Sequence, residues 1–71
     1  MACVNADGSL VASAKIVLKA IETPHTSEEI AEKTNQPMFK IRSSLREMAW
    51  FGYVSEENGK YVATEKGKSK I

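Results

Sequence analysis

Residues 26–52 read TSEEIAEKTNQPMFKIRSSLREMAWFG, and the stretch that follows, residues 53–64, reads YVSEENGKYVAT. Thr26 and Glu29 stand three apart as a capping box, in which the threonine hydroxyl accepts from the Glu29 amide and the glutamate carboxylate accepts from the Thr26 amide. The acids at Glu28 and Glu29 also suit the positive end of a helix dipole, so a short helix is predicted to begin at Ser27, with Ile30 and Ala31 facing inward. Asn35-Gln36-Pro37 then makes a tight polar turn, and the proline is preset for the first position of a following helix. Two helices joined by so short a turn cross as a helix-turn-helix.

The second of these helices is predicted over residues 37–51. Ile41, Leu45 and Met48 form its buried stripe, with Met38 and Ala49 at the margins. At about 100° per residue the far side carries Phe39, Ser43, Arg46 and Trp50, flanked by Lys40 and Glu47. Gly52 suits a left-handed cap that ends the helix. Beyond it, Asn58-Gly59 lies between two β-prone runs and is a dipeptide made for a two-residue type I′ hairpin. Residues 53–57 therefore pair with 60–64, setting Val54 opposite Ala63 and Glu56 opposite Tyr61. Val54, Tyr61 and Ala63 then pack on the helices while the turn projects as a wing.

Upstream, Leu10, Ala14, Val17, Leu18 and Ile21 fall at helical spacing with Lys15, Lys19 and Glu22 off the stripe, which predicts a first helix over residues 9–22. Ser9 or Asp7 is placed to cap it, and Thr23-Pro24 stops it because the residue before a proline is pushed out of the α region. The expected fold class is α+β, mainly α: a three-helix winged helix-turn-helix with a C-terminal β-hairpin wing. It occupies one domain, residues 1–71, with 1–8 and 68–71 flexible.

Composition narrows the function classes. A chain of 71 residues has room for one modest core. Its formal net charge of +1 is low for a nucleic-acid binder, so cations must be segregated onto one face if such binding occurs. No apolar run approaches the ~20 residues of a membrane span, and no signal-peptide pattern opens the chain, so a soluble, cytoplasmic protein is expected. Cys3, the one cysteine, can form no internal disulfide and reads as an idle thiol. Cys3 and His25 supply too few ligands for a structural zinc, so no metal and no cofactor are expected. His25 itself, just before the second helix, reads as a loop residue or a phosphate contact. With one histidine, no nucleophile-and-base pair and no glycine-rich phosphate loop, the chain is not expected to be an enzyme or to take a small-molecule substrate.

The string TSEEIAEKTNQPMFKIRSSLREMAWFGYV, followed by NGKYVATEKG, resembles the winged-helix modules of bacterial and archaeal transcriptional regulators, especially the MarR and ArsR types, over residues 10–67. The shared marks are Glu29-Ile30-Ala31 after the threonine cap, Met48 before Gly52, and the run Tyr61, Ala63, Thr64 and Gly67 after the hairpin. The resemblance implies a transcriptional regulator that binds double-stranded DNA, with the helix over 37–51 in the major groove. It further implies DNA contacts at Met38, Phe39, Lys40, Arg42, Ser43 and Arg46, and a wing contact at Lys60. Of these, arginine pairs bidentately with guanine, while serine and lysine hold phosphates. The alternative is a winged-helix protein-interaction or homodimerisation module using Phe39, Trp50 and Phe51. It draws on the near-neutral charge, the acidic wing at Glu56 and Glu57, and the tendency of exposed aromatics to form interfaces.

Overall fold

The capping box at Thr26 is formed and fixes the start of the helix-turn-helix. Thr26 Oγ1 accepts from the Glu29 amide at 3.2 Å, and Glu29 Oε1 accepts from the Thr26 amide at 2.9 Å. One pair of side chains thereby satisfies two backbone amides at and just inside the helix start. The computed structural model describes residues 4–71. This helix is α2 (Ser27–Thr34), preceded by α1 (Ala12–Ala20) and followed by α3 (Met38–Trp50), β1 (Val54–Glu57), β2 (Lys60–Ala63) and one further turn of helix, α4 (Glu65–Lys68). The architecture is mainly helical α+β, three helices followed by a two-stranded antiparallel hairpin. The reading of Cys3 falls outside the described residues.

Asn35, in the left-handed region at φ 56°, closes α2, and the turn hands over to α3 through Pro37, whose carbonyl accepts from the Lys40 and Ile41 amides at 3.1 Å each. The far end of α3 closes in a Schellman motif. Gly52 sits at φ 81°, its amide donates to Ala49 O at 3.0 Å, and the Tyr53 amide donates to Met48 O at 2.8 Å. The core gathers Val17, Leu18 and Ile21 from the first helical segment, Ile30 from α2, Ile41, Leu45 and Met48 from α3, and Tyr53, Val54 and Ala63 from the hairpin region. Ser44, which the apolar stripe did not include, is also fully buried against this core.

The hairpin has the anticipated register, Val54 opposite Ala63 and Glu56 opposite Tyr61, around Asn58 and Gly59 at φ 53° and 78°. It is also pinned to the helical layer in a way that side-chain pattern does not reveal. His25 and Tyr61 exchange both main-chain hydrogen bonds, at 3.0 and 2.7 Å, and the Ala63 amide donates to Ile21 O at 2.8 Å. The link between α1 and α2 thus serves β2 as a one-residue third strand.

Two terminal expectations need correction. The first helix, expected over residues 9–22, begins at Ala12, because the Asp7 carboxylate accepts from the Ser9 amide at 3.0 Å and from Ser9 Oγ at 2.7 Å, closing a turn instead of capping a helix. Residues 4–8, from the 1–8 segment expected to be flexible, join 9 and 10 in a hook in which Val4 bridges Leu10 and both side chains are 5 % exposed. Glu47 Oε1 accepts from the Val4 amide at 2.7 Å and Gly8 O accepts from Tyr53 Oη at 2.8 Å, so the hook is tied to the body at two points. At the other end the structure adds α4, which overlaps the segment 68–71, expected to be flexible, only at Lys68. Thr64 caps it, its hydroxyl accepting from the Gly67 amide at 3.0 Å and donating to Gly52 O at 2.6 Å.

Candidate nucleic-acid interface

Because Ile41, Ser44, Leu45 and Met48 are buried, α3 turns Phe39, Arg42, Ser43, Arg46 and Trp50 outward, all of them exposed, with Lys40 and Glu47 half-buried at one flank. The helix carries three cations, Lys40, Arg42 and Arg46, against one carboxylate, Glu47, a local excess of 3 − 1 = +2 on a chain whose total is +1. α3 is thus net positive, as are α1, with Lys15 and Lys19, and residues 65–71, with Lys66, Lys68 and Lys70 against Glu65. Among the described residues neither guanidinium lies within 4 Å of a carboxylate, and both arginines are exposed.

Arg42 and Arg46 are adjacent turns of one flank and line a groove of about 510 Å³ between α3 and the hairpin. Its opposite wall is Val54, Glu56 and Tyr61, and Ser27 at the start of α2 closes one end. The composition of that wall follows from strand alternation: Val54 and Glu56 on β1, and Tyr61 on β2, share the face that looks at α3. Two arginines and a helix start therefore meet one carboxylate across the groove. Such a site can hold an anionic strand along its α3 side, where the fork geometry of arginine matches phosphate and base edges.

Not every anticipated contact is brought here. Lys60 alternates with Tyr61 and so occupies the other face of the hairpin, beside Pro24, Glu57 and Val62. From there its charge reaches Glu29. The hydrogen bond from the Thr26 amide, with the positive charge of Lys60 in support, holds the Glu29 carboxyl below the usual glutamate value. Lys40 lies on the opposite flank of α3 from the groove. Phe51 turns back toward the core, its ring centroid 5.8 Å from that of Tyr53, and is half-buried. Trp50 and Phe39 stay out, at 87 % and 72 % exposed.

His25 is engaged by the fold. Its Nδ1 lies 2.7 Å from Thr23 O, which requires a proton on that nitrogen, and leaves Nε2 to accept from Lys33 Nζ at 3.2 Å. Ser27 and Tyr61 also line the groove, although neither belongs to a site motif in the sequence. The signal for Tyr61 was there in its parity with Glu56; for Ser27 it was only the position after the cap. Among the described residues no helix is long and apolar enough to cross a membrane. The chain matches no protein-family model and no curated protein.

Proposed function

We propose that this chain is a winged-helix DNA-binding protein of the transcription-regulator kind, related in design to MarR- and ArsR-type modules, that lays α3 in the major groove of duplex DNA. The observation that carries the reading is the pair Arg42 and Arg46, exposed on successive turns of a helix that follows a helix-turn-helix bend and faces the hairpin across a groove. In this reading Arg46 meets base edges, Ser43, Lys40 and Arg42 hold phosphates, and the hairpin tip with Lys60 runs alongside the backbone. Glu56 sets a limit on how closely the wing wall approaches a phosphate. A cytoplasmic, non-enzymatic role belongs to the same proposal. Chemical-shift mapping with a mixed-sequence duplex at low salt tests it: the amides of α3 should move first and furthest, and an unchanged spectrum would overturn it.

A second reading has its own support in the exposure of Phe39 and Trp50, two large apolar side chains left uncovered at the two ends of α3. Here the winged scaffold docks a protein through those two rings. Substituting Trp50 by alanine would then abolish the partner complex while leaving any duplex affinity as it was.

A further inference from the structure

Phe39, Ser43, Arg46 and Trp50 follow one another at intervals of four, three and four residues, so they form a single straight stripe along the outer side of α3. The rings stand at its two ends, 11 residues apart in sequence, which at 1.5 Å per residue is about 16 Å. Beside Trp50 lies a shallow cleft of about 320 Å³ whose other walls are Ser43, Arg46 and Glu47. One flat aromatic face is thus joined by guanidinium donors and a hydroxyl that can donate or accept, while Glu47 is engaged by the Val4 amide.

Plain duplex uses the cations of this helix but not its rings, because paired bases keep their faces stacked inside the double helix. A second copy of the chain would cover the rings but bring two +2 helices together, from three cations and one carboxylate on each. An anionic strand with exposed bases satisfies both at once: bases stack on aromatic side chains while Lys and Arg follow the backbone. We infer that the outer stripe of α3 is a stacking platform for unpaired bases of a DNA strand, with one base on Trp50, its edge toward Ser43 and Arg46, and a second at Phe39. At 3.4 Å per nucleotide the two ring positions are separated by about five nucleotides of a stacked strand. This rests on the nucleic-acid reading above and names the form of nucleic acid that the aromatic stripe fits.

Trp50 is the sole tryptophan, so its emission reports the site directly. The full chain is titrated with an oligo(dT) of about 12 nucleotides, within the span of single-strand site sizes, and separately with a mixed-sequence duplex of the same length. Trp50 emission and the anisotropy of a labelled nucleic acid are both read. Stacking predicts that oligo(dT) quenches Trp50, and that Trp50→Ala weakens oligo(dT) binding roughly 5- to 150-fold while changing duplex binding less than about twofold. Phe39→Ala should weaken oligo(dT) in the same sense, and circular dichroism should show both variants folded, since both rings are exposed. Duplex binding without oligo(dT) binding, or oligo(dT) binding with Trp50 emission unchanged, overturns the platform and leaves the duplex reading standing. Failure of both nucleic acids to bind overturns the two together. Quenching of Trp50 by an acidic amphipathic peptide but by neither nucleic acid also overturns the platform and favours the protein-docking reading.

Discussion

Gly67→Ala is a small change that the packing makes large. A Cβ at that position would stand 2.1 Å from Tyr53 O, 3.0 Å from Tyr53 C and 3.1 Å from Tyr53 Cα, whereas ordinary contact begins near 3.4 Å. The shortfall at the oxygen is about 3.4 − 2.1 = 1.3 Å, and the obstacle is backbone. Nor can that peptide swing aside: the Tyr53 amide donates to Met48 O at 2.8 Å and Tyr53 O accepts from the Thr64 amide at 3.0 Å. Relief must come from α4 moving outward, which pulls on the Thr64 cap. Overpacking of this kind costs about 1–3 kcal/mol, here at the upper end, and the better helix propensity of alanine returns about 1 kcal/mol. The expected net loss is about 2 kcal/mol, from a total that for 71 residues is roughly 4–10 kcal/mol. Thermal unfolding followed by far-ultraviolet circular dichroism should show a Tm lower by about 8–16 °C. A variant that melts at or above the wild-type temperature would refute the close approach of α4 to Tyr53.

Two further changes probe the frame around the site. Thr26→Ala should cost about 1 kcal/mol by removing the cap of α2. Because the partner carboxyl of Glu29 is held below its ordinary value of 4.5, its contribution is complete above that pH and is lost as the pH falls through the lowered value. Glu29→Gln should therefore flatten the acid limb of the stability curve in urea titrations, and an unaltered limb would show the box to be inconsequential. Tyr53→Phe removes the hydroxyl that donates to Gly8 O at 2.8 Å. About 1 kcal/mol should be lost, and amide exchange over residues 5–9 should quicken; equal exchange rates would mean that the hook is held by Val4 alone.

The helix-turn-helix was legible because its signals are local. Thr26 with Glu29, and Asn58-Gly59, each act within a few residues and stand in the expected roles, while Pro37, expected as the first residue of the helix, is extended and precedes it as the cap residue of α3. What escaped was long-range main-chain pairing. His25 with Tyr61, and Ile21 with Ala63, are backbone contacts whose partners lie more than 30 residues apart, and no side-chain pattern encodes them. The N-terminal hook escaped for a different reason. Asp7 and Ser9 are good cap residues, and their mutual hydrogen bonds compete with the cap they resemble. Tyr53 read as an ordinary strand residue, yet its hydroxyl holds Gly8, its ring lies 5.8 Å from both Lys66 Nζ and Lys70 Nζ, and its peptide meets Gly67.

For the site, the helical wheel placed Phe39, Ser43, Arg46 and Trp50 on one outer side, and all four are exposed there. It could not tell which flank of α3 faces the hairpin, because that depends on how the helix is rotated in the core. That rotation puts Arg42 on the groove side and leaves Lys40 on the other. The separation of Lys60 from the arginines follows from strand parity, once the Val54–Ala63 register fixes which face looks inward.

Duplex affinity as a function of salt, compared between wild type and the Arg42→Ala/Arg46→Ala double variant by fluorescence anisotropy, bears most directly on the claim that α3 is the DNA-reading element. With three to five phosphates neutralised, wild-type binding should weaken with a log-log slope of roughly −3 to −5. The double variant should bind at least about tenfold more weakly, with a slope shallower by up to about 1.8. Superimposable curves for the two proteins, or no wild-type binding at low salt, would contradict it.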